Sequence, residues 1–289
     1  MMRGLHTPVR AIRRRVFKEV AQLGFKADED TLLADMEAIP YAIVNEDSEK
    51  YRESVYRARA IVRERLRLAM GLSLRPENKP VHLTAGVEAS NISEKYYEPP
   101  LMQVIPSACE SCEENKYEVS NICKGCLAHP CQEVCPKDAI SMVNGRSYID
   151  QEKCIKCGKC KSVCPYDAIA KKERPCQKAC GVNAIKSDKM GRAYIDNEKC
   201  VSCGMCMVSC PFGAISDKSQ IFQLARALSE GENVIAEIAP AFVGQFGDNI
   251  TPRNIKAALR ELGFSEVYEV ALGADIGAIA EAHHYVDKV

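Results

Sequence analysis

The distribution of cysteines is the strongest constraint on this chain. All sixteen lie between Cys109 and Cys210 of the 289 residues, and twelve form three runs that end in Cys-Pro, at 123–136, 154–165 and 200–211. The second and third runs, CIKCGKCKSVCP and CVSCGMCMVSCP, match the pattern C-x2-C-x2-C-x3-C-P. In this pattern three thiolates bind one 4Fe–4S cluster and the fourth reaches a neighbouring cluster. We therefore expect iron–sulfur clusters, arranged in pairs.

Two other uses of cysteine fit this sequence less well. Disulfide frameworks are typical of small secreted chains, whereas this chain has 46% apolar residues and no apolar segment after Arg13-Arg14-Arg15 that would form a signal peptide. Structural zinc sites also use C-x2-C pairs, but they separate the two pairs by a longer loop. Because clusters and reduced thiols persist in a reducing compartment, we expect a cytoplasmic protein.

The cysteine region contains an internal repeat. The segment GRSYIDQEKCIKCGKCKSVCPYDAI at 145–169 aligns with GRAYIDNEKCVSCGMCMVSCPFGAI at 191–215, and PCQEVCPKDAI at 130–140 resembles PCQKACGVNAI at 175–185. Each half resembles a bacterial two-cluster ferredoxin, with period-two segments that predict short strands beside the cluster loops. The ferredoxin pattern predicts two ligand sets in the first half, which are Cys123, Cys126, Cys131 and Cys164 for one cluster and Cys135, Cys154, Cys157 and Cys160 for the other.

The second half departs from the ferredoxin pattern. The positions that correspond to Cys123 and Cys126 are Ala168 and Lys171, so two ligands are missing there. One complete set remains in this half, namely Cys180, Cys200, Cys203 and Cys206. We expect an upstream C-x2-C pair to fold back and complete a fourth cluster, whose ligands would be Cys109, Cys112, Cys176 and Cys210. The alternative is a separate zinc or redox pair upstream and three clusters in all.

The regions on either side of the cysteines predict other architectures. Residues 1–72 have the pattern of amphipathic helices, with one from Thr7-Pro8 and a longer one from Asp47, and residues 73–106 contain five prolines and predict an extended linker. Residues 107–218 hold the ferredoxin-type modules in tandem. In 219–289, strands at 233–239 and 267–272 flank a helix that begins at Thr251-Pro252, which predicts a parallel pair before a final helix from about Asp275. The predicted fold class is α+β, with an incomplete α/β segment at the end.

The α/β segment carries a second resemblance. The phrases IAEIAPAFVGQFG at 235–247, ITPRNIKAALRELGFSEVYEV at 250–270 and ALGADIGAIAEAHHYV at 271–286 resemble the opening of the catalytic domain of FeFe (iron-only) hydrogenases. The cluster-rich half and the helical leader are similar to the subgroup called group B. The resemblance implies that the modules relay electrons between a carrier such as ferredoxin and a buried H-cluster. The Thr-Ser-Cys-Cys-Pro motif that begins the H-cluster ligands is absent, so we expect this chain alone to move electrons without activating hydrogen.

Three functional hypotheses remain open. The chain is a truncated hydrogenase, a stand-alone polyferredoxin subunit that serves a partner oxidoreductase, or a redox sensor. A net charge of zero and the lack of a helix-turn-helix signature predict no nucleic-acid partner. We also expect no membrane association, and no dinucleotide fingerprint or P-loop is present.

Overall fold

The computed structural model describes residues 6–26, 28–45, 52–90, 99–247 and 249–288. Its helices are α1 (Pro8–Lys26), α2 (Glu29–Ile43), α3 (Val55–Ala69), α4 (Val87–Ser90), α5 (Pro130–Glu133), α6 (Lys159–Ser162), α7 (Pro175–Lys178), α8 (Met205–Ser209), α9 (Ile221–Ser229), α10 (Pro252–Glu261) and α11 (Val270–Lys288). Its strands are β1 (Met102–Val104), β2 (Lys116–Val119), β3 (Ile140–Val143), β4 (Arg146–Ile149), β5 (Ile169–Lys172), β6 (Ile185–Ser187), β7 (Ala193–Ile195), β8 (Ile215–Asp217), β9 (Ile235–Ile238) and β10 (Glu266–Glu269).

The chain divides into two compact units. The first consists of Pro100–Asp217 together with the beginning of α1, the segment leading into α3 and the first half of α3. The second consists of the remaining helical region and the segment from Lys218 onward. All the cysteines therefore belong to the first unit.

Strand pairing shows that the two cysteine modules are nested. β2 pairs with β5 in an antiparallel sheet and frames the first module, while β1 pairs with β8 and frames the second. Since β1 precedes the first module in the chain and β8 follows it, the first module is inserted into the second. The expected tandem order is therefore not confirmed in this detail. The pairing also places β1 within the segment 73–106 that was expected to be a linker.

Each module has the same small apolar core. Two β-hairpins, β3–β4 and β6–β7, pack an isoleucine from each strand against the framing pair of strands. The first hairpin turns through Asn144-Gly145, both with positive φ, which is the residue pair that a tight hairpin turn favours. The buried residues correspond between modules: Tyr117, Ile140, Ile149 and Ile169 in the first, and Met102, Ile185, Ile195 and Ile215 in the second.

The second unit has a helical core. The Thr7 hydroxyl accepts the N–H of Arg10 at 3.3 Å and so caps α1, as the sequence predicts. In this unit α1 approaches α9 so closely that a Cβ added at Gly24 would lie 2.7 Å from the Ala225 Cβ atom. The buried guanidinium of Arg67 donates to carbonyls of the following segment, on Ser73, Leu83 and Ala85. The predicted start of the longer helix at Asp47 lies outside the described residues.

The C-terminal segment is a β–α–β–α arrangement. β9 and β10 pair in parallel, which confirms the sequence prediction. Thr251 and Asn254 form a capping box at the start of α10. β10 ends at Glu269, and α11 begins at Val270 rather than near Asp275, because the run from Val270 is rich in alanine, which favours helix. Among the described helices, none combines the length and the apolar character needed to span a bilayer.

Candidate metal centres

Four C-x2-C turns share one backbone conformation. The residue before the second cysteine has a positive φ in each: Ser111 (45°), Gly125 (56°), Lys156 (59°) and Ser202 (55°). Residues other than glycine rarely adopt this left-handed conformation, so its recurrence indicates a local requirement. Turns of this kind direct successive N–H groups to one side, where they stabilise an anionic group such as a thiolate-bound cluster. The Cys109–Cys112 pair therefore has the turn geometry of the other three pairs.

A second repeated feature follows the last cysteine of each half-module. The N–H of the alanine four residues later donates to the cysteine sulfur: Ala139 to Cys135 at 3.3 Å, Ala168 to Cys164 at 3.4 Å, Ala184 to Cys180 at 3.2 Å and Ala214 to Cys210 at 3.4 Å. The residue before each alanine has a positive φ, and these are Asp138, Asp167, Asn183 and Gly213. Donation to sulfur stabilises its charge and is one of the factors that set a cluster's reduction potential.

The residue before each alanine is a sequence signal for this turn. Aspartate, asparagine and glycine are the residues that best tolerate the left-handed region. Their presence before Ala-Ile at four equivalent positions predicts the turn. The hydrogen bond to sulfur was not among the features expected from the sequence.

One predicted ligand set lines a cavity in the first module. Cys135, Cys154, Cys157 and Cys160 line this pocket, together with Tyr117. The N–H of Lys156 donates to the Cys154 sulfur at 3.4 Å. This is the arrangement that the cross-ligation pattern predicts, with Cys135 contributed by the neighbouring run.

A matching cavity lies in the second module. Cys109, Cys112, Cys176 and Cys210 line it, together with Arg174. The upstream pair is therefore brought beside the half-set, as the fold-back hypothesis requires.

Hydrogen bonds show that Cys109 occupies the position of Cys123. The N–H of Ala193 donates to the Cys109 sulfur at 3.4 Å. In the first module the N–H of Ser147 donates to Cys123, and this contact lowers the pKa of the Cys123 thiol. Ser147 and Ala193 are equivalent residues of the repeat, each two positions after the glycine of GRSYID or GRAYID. The two cysteines thus meet the same strand at the same point.

The two remaining predicted sets show fewer mutual contacts. Ser147 also joins Cys131 to Cys123, because its hydroxyl lies 3.2 Å from the Cys131 sulfur. The contacts described for Cys126 and Cys164 are with backbone groups: the Cys126 carbonyl accepts the N–H of His129, and Cys164 accepts that of Ala168. In the second module, burial raises the pKa of the Cys206 thiol, and Cys200, Cys180 and Cys203 all lie near enough to raise it further.

Burial keeps the deepest sulfur atoms protonated in the absence of iron. It raises the pKa of Cys176 to about 12 and that of Cys206 to about 11, and neighbouring cysteines add to the effect. A thiolate at these positions requires compensation by a bound cation, because burial disfavours the charged form. Cluster assembly therefore coincides with the loss of protons from these thiols.

Within the described residues, no group of three His, Cys, Asp or Glu side chains is placed to hold a single metal ion. In a 4Fe–4S cluster each thiolate binds a different iron atom, so the four ligands surround a volume instead of a point.

Arg174 is a site residue that sequence reasoning missed. Its side chain is only 3% exposed, and it lines the cavity of the second module. Its guanidinium donates to the Cys112 carbonyl at 2.9 and 3.0 Å, to the Gly191 carbonyl at 2.7 Å and to the Lys186 carbonyl at 3.3 Å. These bonds attach the Cys109–Cys112 turn to the β6–β7 hairpin. No local motif marks this role, because the acceptors are backbone atoms far away in the sequence.

Arg52 and Arg57 hold the same turn from the other side. Arg52 donates to the carbonyls of Ala108 at 3.1 Å and Phe212 at 2.6 Å, and so links the residues beside Cys109 and Cys210. Arg57 donates to the Ser107 carbonyl at 2.8 Å, and both arginines pair with Glu110. The folded-back turn is therefore attached through three arginines, counting Arg174.

Similarity to known proteins places the cysteine region in a family. The 7Fe ferredoxin of Hydrogenibacillus schlegelii is 43% identical to this chain over 53 residues, which are 18% of this chain and 68% of that ferredoxin. The chain belongs to the ferredoxin family. An uncharacterized ferredoxin of Methanocaldococcus jannaschii is 33% identical over 99 residues, covering 28% of this chain and 63% of that protein. The electron transport protein HydN of Escherichia coli is 37% identical over 71 residues, covering 24% of this chain and 41% of HydN.

Three domain families match separate parts of this ferredoxin-family chain. Residues 123–174 match the LdpA Fe-S cluster-binding domain, and residues 193–216 match the 4Fe-4S binding domain. Residues 232–289 match the C-terminal domain of the iron-only hydrogenase large subunit. The chain spans less than two thirds of the methanogen ferredoxin and of HydN. It is an iron–sulfur electron-transfer protein with several 4Fe–4S clusters and a hydrogenase-like C-terminal segment.

Proposed function

We propose that this protein holds four 4Fe–4S clusters and passes electrons from a carrier protein to a hydrogen-activating α/β domain of the group B FeFe hydrogenase kind. The four ligand sets are those predicted from the cysteine spacing. The observation that carries the proposal is the Cys109–Cys112 turn, which lines a cavity with Cys176 and Cys210 and matches the Cys123–Cys126 turn in φ and in its N–H contact. Bound clusters supply one-electron transfer, and the protein's contribution is to hold them and tune their potentials.

The C-terminal segment supports the hydrogenase part of the proposal. It matches the iron-only hydrogenase domain over 232–289. Its two strands pair in parallel, and none of the residues of α11 is buried, including apolar ones such as Ile276 and Ile279. Parallel strands occur almost only where helices and further strands cover both faces of the sheet. We propose that this segment is part of a larger α/β domain.

Iron and sulfide analysis tests the number of clusters. After anaerobic reconstitution we expect about sixteen iron atoms and as many sulfides per chain, four for each cluster. A value of about twelve iron atoms together with one zinc per chain would contradict the fourth cluster. That outcome would favour a zinc site at Cys109 and Cys112.

Hydrogen assays test whether these 289 residues transfer electrons without activating hydrogen themselves. The 289 residues contain no cysteine beyond Cys210, so they do not supply the cysteine ligands of an H-cluster. We expect the reconstituted chain to accept and donate electrons while evolving no hydrogen above the rate of a buffer control, with reduced methyl viologen as donor. Sustained hydrogen evolution by the purified chain would overturn this expectation.

The similarity to HydN favours one second candidate function. HydN is an electron transport protein, and its likeness to this chain extends over 71 residues. In this alternative, the chain is a polyferredoxin subunit that serves another oxidoreductase. Purification from the native organism distinguishes the two: a stable complex with an oxidoreductase that lacks hydrogenase activity favours the alternative.

A further inference from the structure

The two modules differ in the charge of equivalent cysteine loops. Between Cys154 and Cys164 there are three lysines and no acidic residue, whereas between Cys200 and Cys210 there is no charged residue. The lysines are Lys156, Lys159 and Lys161, and their counterparts in the second loop are Ser202, Met205 and Met207. Two loops with the same role in the fold therefore have different surfaces.

The backbone does not require these lysines. Lys156 and Ser202 have φ values of 59° and 55°, so a serine adopts the same conformation at the equivalent position. Both loops continue into a short helix, α6 or α8, that begins after a glycine with positive φ. The lysines are consequently a surface property of the first module.

The lysine loop is exposed and available for contact. Within the described part of the chain, Lys156, Lys159 and Lys161 are exposed and form no ion pair. The adjacent Lys153 is also exposed and lies 4.0 Å from the Asp150 carboxylate. From Gln151 to Cys164 the formal charge is +3, from four lysines and one glutamate, while the equivalent segment from Asn197 to Cys210 has one of each and a charge of 0.

A redox ligand lies at the centre of this loop. Cys157 is exposed and belongs to the set around the cavity of the first module. Two apolar side chains are also exposed here, Ile155 and Val163, at 56% and 37%. A small apolar centre with a charged rim is typical of protein–protein interfaces. Nucleic-acid binding has less support, since these loop residues include no aromatic side chain on which bases would stack.

We propose that residues 153–163 form the docking face for an acidic electron-carrier protein. The proposal deepens the proposed function, on which it rests, by assigning electron entry or exit to the first module. Thiolates at an exposed cluster repel an acidic partner, and the surrounding lysines reverse the sign of the local field. Complementary charge of this kind speeds encounter and orients the partner, most strongly at low salt.

Replacing the three lysines by the equivalent residues of the second loop tests the proposal. The variant K156S/K159M/K161M gives the first loop the residues that the second loop has at the same positions. We expect the affinity for an acidic bacterial two-cluster ferredoxin, measured by calorimetry with both proteins oxidised, to fall about tenfold or more at low ionic strength, with a weaker dependence on salt. The rate of cluster reduction by reduced methyl viologen, which is itself a cation, should not fall.

Two control variants complete the test. K79S/K189M/K288M removes three exposed lysines elsewhere and should bind the carrier like the wild type, while the reciprocal variant S202K/M205K/M207K should bind it more tightly. Equal losses in both lysine-depleted variants, or no loss in either, would overturn the proposal, as would binding of a single-stranded oligonucleotide in preference to the ferredoxin. Failure of methyl viologen to reduce the wild-type clusters would instead count against the proposed function.

Discussion

Replacing Arg174 by methionine is expected to destabilise the fold by about 3 to 5 kcal/mol and to release the Cys109–Cys112 turn. The substitution removes a buried cation and leaves the carbonyls of Cys112, Lys186 and Gly191 without their donor. The thermal midpoint of the reconstituted protein, followed by circular dichroism without oxygen, should fall by about 10 °C. Iron content should fall towards that of three clusters, because the upstream ligands are no longer held beside Cys176.

Two further variants separate the charge of Arg174 from its shape. Arg174→Lys keeps the charge but lacks the planar fork that bonds several carbonyls, so we expect an intermediate midpoint. Lys178→Met removes the exposed partner of Glu173 in the same module and should leave the thermal midpoint close to that of the wild type. Where the cluster survives in Arg174→Met, its potential should be lower, because a nearby positive charge is lost. A stable variant with a full iron complement would contradict the structural role of Arg174.

Replacing both Cys109 and Cys112 by serine is expected to remove one complete cluster. The iron content should fall from about sixteen to about twelve atoms per chain, with loss of one component of the reduced electron paramagnetic resonance spectrum. The effect arises because two of the four cysteines around the cavity are removed, and the remaining pair does not hold a cluster by itself. Iron analysis and spectroscopy on the same samples provide the measurement.

Combined substitutions test which cysteines share that cluster. Adding Cys176→Ser and Cys210→Ser to the double variant should leave about twelve iron atoms, because the same cluster is already lost. Adding Cys123→Ser and Cys126→Ser should lower the number to about eight, because these residues belong to another set. Equal losses in the two combinations would show that Cys109 and Cys112 do not share a cluster with Cys176 and Cys210.

Much of the cysteine chemistry was predictable because it is local. The spacing within each run, the repeat of GRSYID and GRAYID, and the gap at Ala168 and Lys171 are all visible in the printed sequence. The structure explains the gap. Residues Ile169–Lys172 form β5, the last strand of the first module, so the chain has no room there for the opening turn of the second module.

Other features depended on contacts between distant segments. β1 does not resemble β2 in sequence, so its pairing with β8 was not apparent, and the modules were expected in tandem. The boundary between β10 and α11 was also misplaced, since the largely apolar run VYEVAL at 267–272 suits a strand as well as a helix. The arginines bind backbone carbonyls. Every residue has such a carbonyl, so no sequence motif identifies the ones that are bound.

By itself, the sequence determined that this protein binds iron–sulfur clusters, how many cysteines are available and which of them lie on common turns, because these properties depend on residue type and short spacing. Only the tertiary structure decided that the first module is inserted into the second and that Cys109 and Cys112 lie beside Cys176 and Cys210. These arrangements depend on strand pairing and on buried arginine contacts, which form between segments that are far apart in the chain.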